Sequence, residues 1–153
     1  MKALVIYDSV SDAKVTKKVA ETVQATLNEN GVQTSLMFVD DAAKANLKDY
    51  DAVVFGAPTM AWRPSKKMKD YLAGLKNEYA GKKAATFDTQ MDSAISGNAN
   101  KHMEKDLKAA GFTIVGTPLL AYVTSVKKVY TLNDGQLDKI KNWSKDLADI
   151  LKK

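Results

Sequence analysis

The apolar positions of the chain fall into two alternating patterns. Short runs rich in valine, isoleucine and alanine occur at residues 3–7, 52–56 and 84–87, with weaker ones at 34–39 and 112–115, the last extendable through 119–123. Runs of this length, without a polar residue at every second position, predict strands buried on both faces, as in a parallel sheet. Between them the spacing is helical. Val15, Val19 and Val23 recur four apart with Leu27 after them, and Met68, Tyr71, Leu72 and Leu75 follow the i, i+3, i+4, i+7 rule. Met103, Leu107 and Ala110 mark a further helix, and Leu137, Ile140, Leu147 and Ile150 the last. The segment between Asp40 and Asp49 is alanine-rich and short, a weak helix at most.

The punctuation agrees with this reading. Gly31 closes the first helix, Pro64 stands where a first helical residue would, and Gly81 and Gly111 precede strands. Strand–helix alternation with tight connections predicts an α/β doubly wound fold, because parallel neighbours need right-handed helical crossovers. The expectation is one domain over residues 1–153, with five parallel strands in the common order 2-1-3-4-5. No internal repeat or low-complexity linker divides the chain.

Composition narrows the chemistry. A chain of 153 residues suits a single domain with a sizeable core. It has no cysteine, which excludes disulfides, thiolate metal sites and thiol redox chemistry. A single histidine, His102, leaves any metal cage to carboxylates, and no metal is expected. No stretch reaches transmembrane length and the amino terminus runs straight into an apolar strand, so the expectation is a cytoplasmic protein without membrane attachment. The net charge of +5 raises the question of nucleic acid. The lysines are spread over every predicted helix, however, as at Lys14, Lys17 and Lys18, or Lys101, Lys105 and Lys108. That distribution reads as solvated helix faces, and no nucleic-acid partner is expected.

In open α/β sheets ligands bind beyond the carboxyl ends of the strands, where strand order reverses. The predicted loops there are 8–14, 57–63 and 88–98. In the first, Ser9, Val10, Ser11, Asp12, Ala13 and Lys14 lead into a helix amino terminus, whose unsatisfied N–H groups and dipole suit a phosphate. Ser11 would serve equally as a plain helix cap. In the second, Pro58, Thr59, Met60, Ala61 and Trp62 leave a buried strand, and the Trp62 face suits either a flat ring system or the cover of a core edge. The third, from Asp88, Thr89 and Gln90 through Gly97, is long for a strand-to-helix connection, which points to function. Its amides and hydroxyls suit the polar edge of a ligand, and Asp88 with Asp92 offers a carboxylate pair. None of these residues is a convincing nucleophile or general base, so hydrolase and transferase readings rank low.

These segments resemble a flavodoxin over nearly the whole chain. The resemblance is carried by residues 2–9 (KALVIYDS), by the more specific 50–59 run (YDAVVFGAPT), by Phe87-Asp88-Thr89, and by Asn142-Trp143 near the end. It implies non-covalent FMN and electron carriage, or service to flavin-dependent reductases. Ser9 and Ser11 then match the hydroxyls of the family's Thr/Ser-x-Thr-Gly-x-Thr phosphate loop. Residues 58–62 match the loop that touches the ring, with Thr59 matching its threonine, and Asp88, Thr89 and Gln90 match the start of the third loop. The chain departs from the family pattern at Asp12, Ala13 and Lys14, which replace glycine, the next residue and the last hydroxyl. Asp12 would oppose a phosphate at the same helix terminus, and Lys14 would offset part of that. Lys14, Arg63, Lys66 and Lys67 also place positive charge near the predicted mouth, where flavodoxins are usually acidic, so a redox partner should be acidic or dock in a different orientation. The rival expectation is a flavodoxin-fold domain that has lost FMN and serves as an interaction module.

Overall fold

The computed structural model of the chain describes residues 1–10, 14–60, 63–92, 98–127 and 129–153. The valine-rich runs become central strands because helices cover both of their faces. In β1 (Lys2–Tyr7) every residue from Ala3 onward is buried. Its odd positions Ala3, Val5 and Tyr7 join Val54 and Phe87 against Val19, Val23 and Leu27 of α1 (Val15–Glu29) and Ile140 and Leu147 of α5 (Gln136–Leu151). Its even positions Leu4 and Ile6 join Val53 and Phe55 against Met68 and Leu72 of α3 (Lys66–Ala73) and Met103 and Leu107 of α4 (Ala99–Ala109). Two apolar layers on one sheet give a three-layer α/β sandwich.

The parallel strands run in the order β2 (Gln33–Phe38), β1, β3 (Ala52–Met60), β5 (Lys83–Met91), β7 (Leu119–Val126), which is the predicted 2-1-3-4-5 arrangement. Three short strands extend it. β4 (Arg63–Pro64) folds back antiparallel on β3, β6 (Thr113–Ile114) pairs with the start of β5, and β8 (Val129–Leu132) forms an antiparallel hairpin with β7.

Three sequence expectations are corrected. The predicted fifth strand is broken in two: β6 pairs near Lys83 and β7 near Phe87, with Gly116 at φ 69° between them. β3 and β5 run past their predicted ends to Met60 and Met91, held by the pairs Ala57↔Asp88 and Pro58↔Thr89, so the starts of the predicted second and third loops are strand. Pro64 is not the first helical residue. It pairs with Thr59 in β4, where a missing N–H is tolerated on a strand that has a neighbour on one side, and Ser65 takes the N-cap position without a side-chain hydrogen bond. The segment from 39 to 49 holds a four-residue helix α2 (Val39–Ala42) and a 3-10 turn, Leu47–Asp49.

The sheet is tightest where β3 meets β5. A Cβ built on Gly56 would lie 1.9 Å from Cζ of Phe87, so the ring lies across the bare backbone. Overpacking of this kind typically costs about 1–3 kcal/mol. Gly56→Ala is therefore expected to lower Tm by roughly 3–10 °C for a domain of this size. Adding Phe87→Leu should recover part of the loss, and an unchanged Tm in Gly56→Ala would contradict the close approach.

Candidate functional site

The carboxyl ends of β1, β3, β5 and β7 open, with the first turn of α1, around a cavity of about 270 Å³. Its polar lining comes from Thr16, Thr59, Thr89 and Gln90, and Pro58 and Val15 supply apolar wall. Four large side chains at its mouth are exposed: Val10 (54%), Met60 (49%), Met91 (42%) and Tyr130 (36%). Apolar walls with a few convergent polar groups are the ordinary make-up of a small-molecule site.

Threonine hydroxyls fasten two helices to the strand tips. Thr16 Oγ1 and Thr89 Oγ1 lie 2.7 Å apart and join the first turn of α1 to β5. Thr59 Oγ1 accepts the Ala99 N–H of α4 at 3.1 Å and donates to Asp88 Oδ2 at 3.0 Å. Gln90 Nε2 donates to both Asp88 oxygens, at 3.1 and 2.9 Å. Asp88 is fully buried. Burial pushes its carboxyl up to about 6, against the opposing pull of the bonds from Gln90 and Thr59 and of the Asn100 and Ala99 amides.

The entry to α1 carries a strained residue. Lys14 precedes the helix in the left-handed region at φ 54°, a conformation that costs a non-glycine residue about 1–2 kcal/mol. Among the described residues no side chain caps α1, and its first turn carries no acid. Strain and unsatisfied N–H groups in one place are common at binding sites. Alongside, Asp8 is buried at the end of β1, with Oδ1 accepting the Ser9 N–H at 2.9 Å. Asp8 Oδ2 and the buried Ser9 Oγ have no hydrogen-bond partner among the described residues.

Of the residues singled out from sequence, Val10, Pro58, Thr59, Met60, Thr89 and Gln90 line the cavity. Ser9 and Asp88 are buried at the ends of the same sheet, and Lys14 is exposed at the α1 terminus. Ser11, Asp12, Ala13, Ala61, Trp62 and Gly97 lie outside the described residues. The expected pairing of Asp88 with Asp92 is not what the structure holds. Asp88 is buried against Thr59 and Gln90 and Asp92 is exposed, because polar donors next to Asp88 satisfy it within the sheet. Two of the four expected rim cations are neutralised locally: Lys66 pairs with Asp70 at 2.6 Å and Lys67 with Asp40 at 2.9 Å. Lys14 and Arg63 form no ion pair among the described residues. Sequence reasoning missed Val15, Thr16, Val123 and Tyr130 as lining residues, while Met91 falls within the expected third loop. Thr16 was detectable, since it directly follows a phosphate-loop pattern. Tyr130 was not, because the hairpin that carries it has no pattern of its own. Among the described residues no group of three or more histidine and carboxylate side chains is placed to hold a metal.

A family model described as a flavodoxin domain matches residues 4–121. The chain is 33% identical over 93 residues to a flavodoxin of Aquifex aeolicus, a match that covers 58% of this chain and 49% of that protein. The matched stretch thus spans about half the length of that relative. By structure the chain is similar to oxidised flavodoxin 1 from Bacillus cereus, with a TM-score of 0.77 and 19% identity over 97% of this chain and 98% of that one. It is also similar to a WrbA-like flavodoxin from Agrobacterium tumefaciens, with a TM-score of 0.74 and 17% identity over 99% and 97% of the two chains. At these identities the structural likeness speaks for the fold.

Asp88 gives the site a measurable pH signature. Its pKa is raised from 3.8 to about 6 in the folded protein. Below the unfolded value both states are protonated and nothing is lost. As pH climbs towards 6 the unfolded chain ionises first, so stability falls, and above 6 the loss is complete at about 3 kcal/mol. Asp88→Asn removes this titration. Urea unfolding of both ligand-free proteins from pH 4 to pH 8 should show the variant gaining on wild type by on the order of 2–3 kcal/mol, mostly below pH 6.5. Parallel stability curves would contradict a buried, strained carboxyl.

Proposed function

Because the chain belongs to the flavodoxin-domain family, we propose that it binds FMN non-covalently in the cavity at the strand ends and acts as a flavodoxin-like electron carrier. The observation that carries this reading is the coincidence of the Thr16–Thr59–Thr89–Gln90 lining with a helix amino terminus that no side chain caps among the described residues. The residues fit such a cofactor. The α1 N–H groups and Lys14 suit a phosphate, with the unpartnered Ser9 hydroxyl as a further donor. The threonine hydroxyls and Gln90 suit a polyhydroxyl arm. The enclosed volume of about 270 Å³ falls just below the roughly 300–1,000 Å³ usual for a whole ligand, which leaves a flat ring to the apolar rim and to Trp62.

When bound, the flavin supplies the electron chemistry. The chain's own residues hold it, orient it and keep water from it. Met60, Met91 and Tyr130 form the apolar screen, and the two threonine links keep the strand tips and helix starts in register. Lys14, Arg63 and Lys127 surround this face without ion pairs among the described residues, and they favour a redox partner with an acidic docking surface. The rival reading, a fold without its cofactor, draws no support from the relatives.

The substituted phosphate loop supplies the sharpest test. Asp12 takes the place of the family's glycine, and its charge should oppose a phosphate. Asp12→Gly is expected to tighten FMN binding by about 1–2 kcal/mol, roughly ten-fold, after screening. Riboflavin, which lacks the phosphate, should gain much less. Calorimetry with both ligands on both proteins decides it. Wild type that binds FMN far more tightly than riboflavin, with no gain in Asp12→Gly, would show that Asp12 does not oppose the phosphate. A folded protein that takes up neither flavin would favour the interaction-module reading.

Trp62 offers a second check. If it stacks on the ring, its fluorescence is quenched as FMN binds, and Trp62→Phe loses most of that quenching. Equal quenching in both proteins would remove Trp62 from the site.

A further inference from the structure

The link between Thr16 and Thr89 leaves a hydrogen to spare. Both residues line the cavity, and both are buried, at 3% and 6% exposure. Their hydroxyl oxygens lie 2.7 Å apart, and neither hydroxyl has another partner among the described residues. Each hydroxyl owns one hydrogen, so two hydrogens serve a single bond. The donor of the pair keeps its lone pairs free, and the acceptor keeps its hydrogen. A buried hydroxyl hydrogen without an acceptor costs stability. Among the described residues no group takes this one, and the open space that both side chains border is the cavity. Thr59 makes the contrast. Its hydroxyl donates to Asp88 Oδ2 and accepts the Ala99 N–H, so its hydrogen is spent within the protein.

That count selects the chemistry that completes the pair. A group that only accepts, such as a carbonyl, takes the spare hydrogen and leaves the lone pairs of the donor unused. A group that only donates does the reverse. A ligand hydroxyl does both: it accepts from one threonine, donates to the other, and closes a ring of three O–H···O bonds that reinforce one another. Place in the fold narrows the choice further. Thr16 is the second residue of α1, beside the terminus that suits a phosphate, whereas the flat ring is assigned to an exposed rim that includes Met60 and Tyr130. Buried between α1 and β5, the pair belongs to the inner wall and not to that rim.

We propose that Thr16 and Thr89 act as one binding unit that selects a ligand with a hydroxyl-bearing arm, one hydroxyl of which closes the three-membered ring. The proposal rests on the FMN reading and deepens it: two named side chains discriminate between a flavin with its polyhydroxyl arm and the bare ring.

Riboflavin and lumiflavin, which carries a methyl group in place of the ribityl arm, separate this role from a purely structural one. Fluorescence titration gives the affinity of each, and their ratio is the readout. Wild type should prefer riboflavin. Thr16→Val and Thr89→Val should each weaken riboflavin binding by roughly five-fold, about the worth of one hydrogen bond, and leave lumiflavin binding unchanged. The double variant should lose still more of the preference. Thr16→Ser and Thr89→Ser keep the hydroxyl and should hold the wild-type ratio. Valine variants that weaken both flavins alike would reveal packing alone and overturn the proposal. A wild type that binds lumiflavin as tightly as riboflavin also overturns it, and that comparison stands even if a valine variant does not fold. If FMN and riboflavin bind and the threonines leave the ratio unmoved, only this proposal falls. If FMN, riboflavin and lumiflavin all fail to bind the folded protein, the FMN reading falls and takes the proposal with it.

Discussion

The pairing of β3 with β5 beyond Gly56 is the contact on which the site depends. The missing side chain at Gly56 lets the Phe87 ring lie across the strand, and the ladder then continues through Ala57↔Asp88 and Pro58↔Thr89. Because successive strand residues face opposite ways, that register sends Asp88 and Gln90 to the α4 side and Thr89 to the α1 side. Each side then finds a helix start to bond: Thr89 meets Thr16 of α1, and Thr59 meets Ala99 of α4. A one-residue slip would exchange these faces and leave the buried Asp88 without Thr59.

The same strand ends concentrate the features that cost stability. A carboxyl sits fully buried at Asp88, a lysine sits in the left-handed region at position 14, and polar atoms of Asp8 and Ser9 are buried without partners among the described residues. Elsewhere the central strands are closed on both faces by aliphatic and aromatic side chains. Local rules broken together in one place mark a site shaped for something other than folding. A bound ligand that satisfied the orphaned groups would return part of that stability.

Much of this was legible in the chain. The central strands announced themselves through continuous valine and isoleucine runs, and α1 through the four-residue spacing of Val15, Val19 and Val23, because two-sided burial and helical amphipathicity write directly into sequence. The broken fifth strand did not, since a two-residue strand such as Thr113–Ile114 is held by its neighbour rather than by its own residues. Nor did the extension of β5 through Asp88 and Gln90: polar residues at a strand end look like loop until their partners across the ladder are known. The site's location followed from topology alone. The cage around Asp88 did not, because Thr59 becomes its donor only through the β3–β5 register and Gln90 only once β5 extends past Asp88.

The central claim is that FMN occupies the cavity between the tips of β1, β3, β5 and β7. Amide chemical-shift mapping of the labelled protein during an FMN titration tests it most directly. The account predicts the largest shifts at Val10, Thr16, Thr59, Thr89 and Gln90, with little change in the charged groove between α1 and α5 that Glu21, Glu29, Lys141 and Lys145 line. Shifts centred on that groove, or none at all at saturating FMN, would contradict it.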